Sequence, residues 1–156
     1  TLNSRSGRLI FSSRMKTCLN FDDLLQINRP QIDEMQRVGE SFPDPNSPSA
    51  CEAFTQQVRL VEGLLRQTYR VAVALTKKTE DLREIAEIWS HMSDFCNSTL
   101  QALVSLKHPY PYCGTPQLYD LALDYKLACD KRHRGVLEEI TCQSTEFPKG
   151  LFPEKI

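Results

Sequence analysis

Glycine is scarce in this chain of 156 residues, with six in all. Loops that cradle phosphate groups need several glycines, and neither G-x-x-x-x-G-K-[ST] nor G-x-G-x-x-G occurs. H-E-x-x-H and G-x-S-x-G are missing too. No stretch approaches the ~18 uninterrupted apolar residues of a membrane-spanning helix. Charge of one sign is not in excess either. Nineteen Lys+Arg face 20 Asp+Glu, a net charge of −1, so bulk electrostatics give no reason to expect nucleic acid as a partner. These absences point away from an enzyme and from a bound cofactor. What is present suits a globular domain. Hydrophobic residues make up 40% and charged residues 25%, enough apolar content for a core within one domain.

Six cysteines stand at Cys18, Cys51, Cys96, Cys113, Cys129 and Cys142, with no C-x-x-C pair. Six thiols permit three disulfides in 15 connectivities. However, Cys51, Cys96 and Cys129 fall on apolar helical faces, where a free cysteine behaves as a small hydrophobe. Disulfide-dense domains are usually shorter and richer in loops. The expectation is therefore reduced thiols in a cytoplasmic or nuclear protein, the alternative being a secreted, disulfide-bonded chain. Asn97-Ser98-Thr99 matches the N-glycosylation acceptor pattern and favours the alternative.

Residues 1–16 carry Arg5, Arg8, Arg14 and Lys16 and no acid, which reads as a basic flexible arm able to contact an acidic partner. A bundle domain is expected over 17–143 and an extended tail over 144–156. Within the domain, Phe21, Leu24, Leu25 and Asn28 recur at helical spacing. Pro30 suits the first position of a second short helix. Pro43, Pro45 and Pro48 mark a loop. Ser49 with Glu52 then forms a capping-box pattern. Cys51, Phe54, Val58, Val61, Leu65, Ala72 and Leu75 follow as a heptad-like seam.

A second seam runs through Leu82, Ile85, Trp89, Met92, Cys96, Thr99, Leu103 and Leu106. Between the two lie six polar residues, Thr76 to Asp81. Lys77 and Lys78 suit a helix end, and Glu80 and Asp81 a helix start. A turn is the favoured reading. Its alternative is one continuous helix over about 49–107, on the order of 85 Å long at 1.5 Å per residue. Thr115 and Pro116 then signal a further long helix to about 142. The fold class expected is all-α: a bundle of two to three long amphipathic helices with short N-terminal helices.

No constellation stands out as chemical machinery. His108, Cys113, Cys129 and His133 are weak zinc candidates, because Cys129 and His133 share a helical face and two thiolates plus two imidazoles suit tetrahedral zinc. Ser47-Pro48 and Thr115-Pro116 could accept phosphate, the second at a helix N-terminus. The Phe21, Leu24, Leu25 helix and the basic cluster Lys131, Arg132, His133, Arg134 offer surfaces for partners. The function expected is a non-catalytic interaction or scaffold module. It would be a subunit of a larger assembly, joined to partner proteins or to itself through the heptad-like seams, without membrane contact. The alternative is a secreted helical-bundle ligand of the cytokine type.

Overall fold

The computed structural model describes residues 20–107, 110 and 113–151; for 144–151 it describes the helix path alone. Four α-helices account for the regular structure, and no strand occurs among the described residues. They are α1 (Phe21–Ser41), α2 (Pro48–Lys78), α3 (Leu82–Val104) and α4 (Thr115–Leu151). The arm and Cys18, His108 and residues 152–156 lie outside the described residues.

The short N-terminal helices are in fact one helix of 21 residues, with Pro30 inside it. Asn20 caps it through a capping box: the Asp23 N–H donates to Asn20 Oδ1 at 2.8 Å, and the Asn20 N–H donates to Asp23 Oδ2 at 3.2 Å. Pro30 and Gln26, whose carbonyl the missing N–H would have reached, are both exposed. Water can serve the freed carbonyl, which reduces the penalty of an interior proline. The stripe Phe21, Leu24, Asn28, Ile32, Met35, Gly39 stays buried throughout. Burying that stripe contributes roughly 25 cal/mol per Å², enough to hold the helix across the proline.

The cap of α2 is Ser47 rather than Ser49; its side chain accepts from the Ala50 N–H at 3.2 Å. Pro48 at N1 has no N–H to satisfy, so the helix starts there at no cost in hydrogen bonds. Residues Thr79 to Asp81 form a turn, and the continuous helix over 49–107 does not occur. Asp81 decides this. Its carboxylate accepts from the Arg83 and Glu84 N–H groups at 3.0 and 3.5 Å, leaving its own backbone extended. The Thr79 hydroxyl donates to Glu84 at 2.9 Å and accepts from the Asp81 N–H at 3.2 Å, which closes the corner. At the other end, α4 runs to Leu151, so residues 145–151 are helical rather than extended.

All connections are short: 42–47, 79–81 and 105–114. Short connections force antiparallel neighbours, giving an up-down-up-down bundle. Gln57 donates to the Gln31 carbonyl at 3.0 Å across α1 and α2. Ser93 donates to Asp130 at 2.6 Å across α3 and α4. The two hairpins then pack with like directions side by side. Arg29 donates to Ser98 at 2.9 Å between parallel α1 and α3, and Tyr69 stacks on Tyr125 at 4.2 Å between parallel α2 and α4. Helices α1 and α4 are diagonal and do not touch among the described residues.

Phe54, Leu24, Met35, Leu65, Met92 and Leu118 are fully buried and form the centre. One polar pair crosses it: Asn28 Nδ2 donates to Thr68 Oγ1 at 3.2 Å, and the Thr68 hydroxyl donates to the Leu64 carbonyl at 2.6 Å. Asn28 Oδ1 is buried without a hydrogen-bond partner among the described residues. The Asn28–Thr68 hydrogen bond forms in one alignment only and so favours one register of α1 on α2.

Candidate functional site

The seams expected to bind partners are used inside the chain. Phe54, Val58, Val61 and Leu65 of α2 are at most 1% exposed, and Trp89, Met92, Cys96 and Thr99 of α3 at most 3%. Phe21 and Leu24 are also buried, with Leu25 packed against the same core. The Phe21–Leu25 face is therefore held by α2 and α3 rather than offered outward. Arg5, Arg8 and Arg14 lie outside the described residues.

The basic cluster near the end of α4 divides. The Arg132 guanidinium lies 4.9 Å from the Trp89 ring centroid and 5.9 Å from that of Tyr69, a cation–π contact that caps the α2–α3–α4 aromatic stack. Burial is the main cause raising the Tyr69 phenol above its ordinary range, and Arg132 partly counters it. Lys131 and Arg134 are exposed. Neighbouring Asp130 is committed to the bundle, accepting from Ser93 at 2.6 Å and from Lys126 at 2.9 Å. Burial acts to raise its pKa, but those two donors outweigh it and hold the carboxyl below the usual range.

The four zinc candidates do not form a site. His108 lies outside the described residues. Cys113 precedes α4 and Cys129 lies 16 residues on, about 20 Å along the helix. Zinc–sulfur bonds of ~2.3 Å cannot span that separation. Each of the two thiols instead meets another cysteine, Cys113 beside Cys51 and Cys129 beside Cys96. His133 is half-buried on α4.

The modification candidates occupy distinct places. Ser47 is the α2 cap, so its oxygen is already engaged. Thr115 is the first residue of α4, not its cap. Its hydroxyl donates to the Tyr110 carbonyl at 2.8 Å, and Gly114 precedes it, its carbonyl accepting from the Leu118 N–H at 2.9 Å. Gly114 has φ +87, a conformation that explains a glycine there. Asn97 is half-buried in the middle of α3.

One structural residue carried no usable sequence signal. Tyr110, from the Pro/aromatic connection, is 3% exposed, stacks on Phe54 at 4.1 Å and donates to the Gly39 carbonyl at 2.7 Å. It locks the α3–α4 connection against α1 and α2. The outward face of α4 also carries apolar residues, at a helical spacing that the sequence contains. Tyr119, Leu127 and Leu137 are 37%, 60% and 44% exposed. At 100° per residue they fall within an arc of about 80°.

Shallow grooves occur at two places among the described residues. One of about 390 Å³ lies at the α2–α3 turn, lined by Glu80, Asp81, Leu82, Arg83, Ile140 and Gln143. The other, about 170 Å³, lies between α1 and α3 beside Arg29, His91 and Asp94. Neither brings a nucleophile to a base, and among the described residues no three or more His, Cys, Asp or Glu side chains cluster as a metal site. No described helix is long and apolar enough to cross a membrane. Comparison of the chain with protein-family models, with curated proteins and with solved structures finds no match.

Proposed function

We infer that this chain is a non-catalytic protein-binding module, a four-helix bundle that closes its own core and presents the outer face of α4 to a partner protein. The exposure of Tyr119, Leu127 and Leu137 on one arc of α4 carries this reading. Single exposed apolar residues are ordinary on any surface. Three on one face of α4 form an amphipathic surface of the kind that docks into an apolar groove. Arg134 falls within the arc and Lys131 lies beside it, both exposed, and they would meet acidic groups on the partner.

The compartment that best fits is an oxidising one. Facing cysteines at two places favour a secreted helical-bundle protein over an intracellular scaffold. Such a protein would differ in connectivity from the cytokine type, whose up-up-down-down bundles need two long crossovers.

A photo-crosslinking residue at position 127, compared with one at exposed Gln56 on α2, tests the docking surface in the native setting. The reading predicts a discrete crosslinked product from position 127 alone, lost when Leu137→Asp is added. Equal products from both positions, or none from either, contradict it.

A further inference from the structure

Four of the described cysteines meet in two pairs. In the first, Cys51 sits in the opening turns of α2 and Cys113 in the connection just before α4. The Cys113 thiol lies 3.7 Å from the Cys51 carbonyl oxygen, and the Cys51 thiol donates to the Pro45 carbonyl at 3.5 Å. Cys51 is partly exposed and Cys113 is 3% exposed. The Cys113 side chain sits against Cys51 and also interacts with its thiol. Burial raises the Cys51 thiol above its ordinary range, and the neighbouring Cys113 raises it further.

In the second pair, Cys96 and Cys129 are both fully buried. Helices α3 and α4 run antiparallel, with Ser93 bonded to Asp130 and Trp89 under Arg132. That register sets Cys96, one turn beyond Ser93, opposite Cys129, one residue before Asp130. Hydrogen bonding between the two thiols, followed by burial, pushes the Cys96 thiol far above its ordinary range. Neither pair shares a cysteine with the other, so one connectivity satisfies both.

We propose that Cys51–Cys113 and Cys96–Cys129 are two disulfide sites, oxidised as the chain folds, which tie α4 covalently to α2 and to α3. The links go beyond the docking surface and do not depend on it. Their placement has a mechanical logic. Of the helix pairs that touch, α2 with α4 has the least extensive contact among the described residues, and the first link closes it at the end where α4 begins. The second secures α4 to α3 near its midpoint. A helix that offers its outer face to a partner is thereby fixed on its inner face.

The chemistry is thiol–disulfide exchange with a low-molecular-weight disulfide such as glutathione disulfide. One cysteine thiolate attacks a sulfur of the oxidant, forming a mixed disulfide and releasing one glutathione thiolate. The second cysteine thiolate attacks the protein sulfur of that mixed disulfide, forming the protein S–S bond and releasing the other. Each link transfers two electrons to the oxidant, and the two protons of the cysteine thiols end on the two glutathione thiols. Cys96 and Cys129, closed off in the folded core, must react while the bundle is still forming.

The test refolds the full, reduced chain from denaturant in a glutathione redox buffer, alkylates remaining thiols and maps tryptic peptides without reduction. Trypsin places all six cysteines in separate peptides, because Lys or Arg stands between each consecutive pair. The expected result is two linked species, the Cys51 peptide with the Cys113 peptide and the Cys96 peptide with the Cys129 peptide, whatever Cys18 and Cys142 do. Each link makes the protein about 2 Da lighter and disappears on reduction. As a second reading, Cys113→Ser abolishes the first species and leaves the second. Cross-pairing such as Cys51 with Cys96, or full alkylation of all four thiols after refolding, overturns the proposal.

Discussion

At the scale of single residues, close packing explains positions that composition leaves blank. Gly39 is the sharpest case. A Cβ there would lie 2.8 Å from Phe54 Cε1 and 2.9 Å from Leu106 Cδ2, and the Phe54 ring is fully buried between α1 and Tyr110. Gly39→Ala forces that ring to shift and is expected to destabilise by about 1–3 kcal/mol, the range for overpacking a core; urea denaturation measures it. Asp130 governs a pH response. Its carboxyl pKa is lowered in the fold by Ser93 and Lys126 against the opposing effect of burial. A depressed folded pKa means stability that is present above the unfolded value of ~3.9 and is lost as pH falls through the folded one. The pair with Lys126 is about one-third exposed, so solvent screening keeps the effect small. Denaturation midpoints of the wild type should fall faster below about pH 4 than those of Asp130→Asn, with the curves parallel above about pH 6.

At the scale of elements, the sequence was informative wherever the apolar period was long. The α2 and α3 seams were legible because Phe54, Val58, Val61, Trp89, Met92 and Cys96 repeat at helical spacing and no neighbour competes with that signal. The turn between them was legible from Lys77, Lys78, Glu80 and Asp81, whose charges suit the ends that form. Ends involving proline were misread. Pro30 was taken as the start of a second helix, yet one proline removes one hydrogen bond, and a buried stripe such as Phe21 to Gly39 outweighs that loss; residues 144–156 were taken as an extended tail, yet α4 continues to Leu151. Pro48 was passed over as N1 in favour of Ser49. Because Pro30 lies on an exposed face within α1, Pro30→Ala restores the bond to Gln26. It is expected to stabilise the protein by about 1–3 kcal/mol, given the ~3 kcal/mol gap between the two residues in a helix interior; the thermal midpoint reads this out. The contacts of the candidate site were illegible because they depend on how the helices pair. Nothing in the spacing of Cys51, Cys96, Cys113 and Cys129 distinguishes two facing pairs from four buried spacers. Only the antiparallel register of α3 on α4 brings Cys129 to Cys96, and only the parallel placement of α2 and α4 brings Cys113 to Cys51.

At the scale of the whole molecule, the balance between seam and coverage changes. Two long apolar seams first suggested a chain that needs partners to complete its core. The structure pairs them with α1 and with the inner face of α4, and the Asn28–Thr68 contact favours one alignment. Among the described residues the exposed large apolar side chains are Leu60 on α2, Val104 at the end of α3, and Tyr119, Leu127 and Leu137 on α4; the α4 arc is the surface proposed above for recognition. The claim that the bundle closes on itself is tested most directly by small-angle X-ray scattering on the purified chain over a range of concentrations. A self-closed bundle predicts the monomer mass of 17.9 kDa throughout and a radius of gyration not far above the about 15 Å of a compact chain of this length. A mass that doubles with concentration, or a rod-like profile with a radius of gyration above about 25 Å, would contradict it.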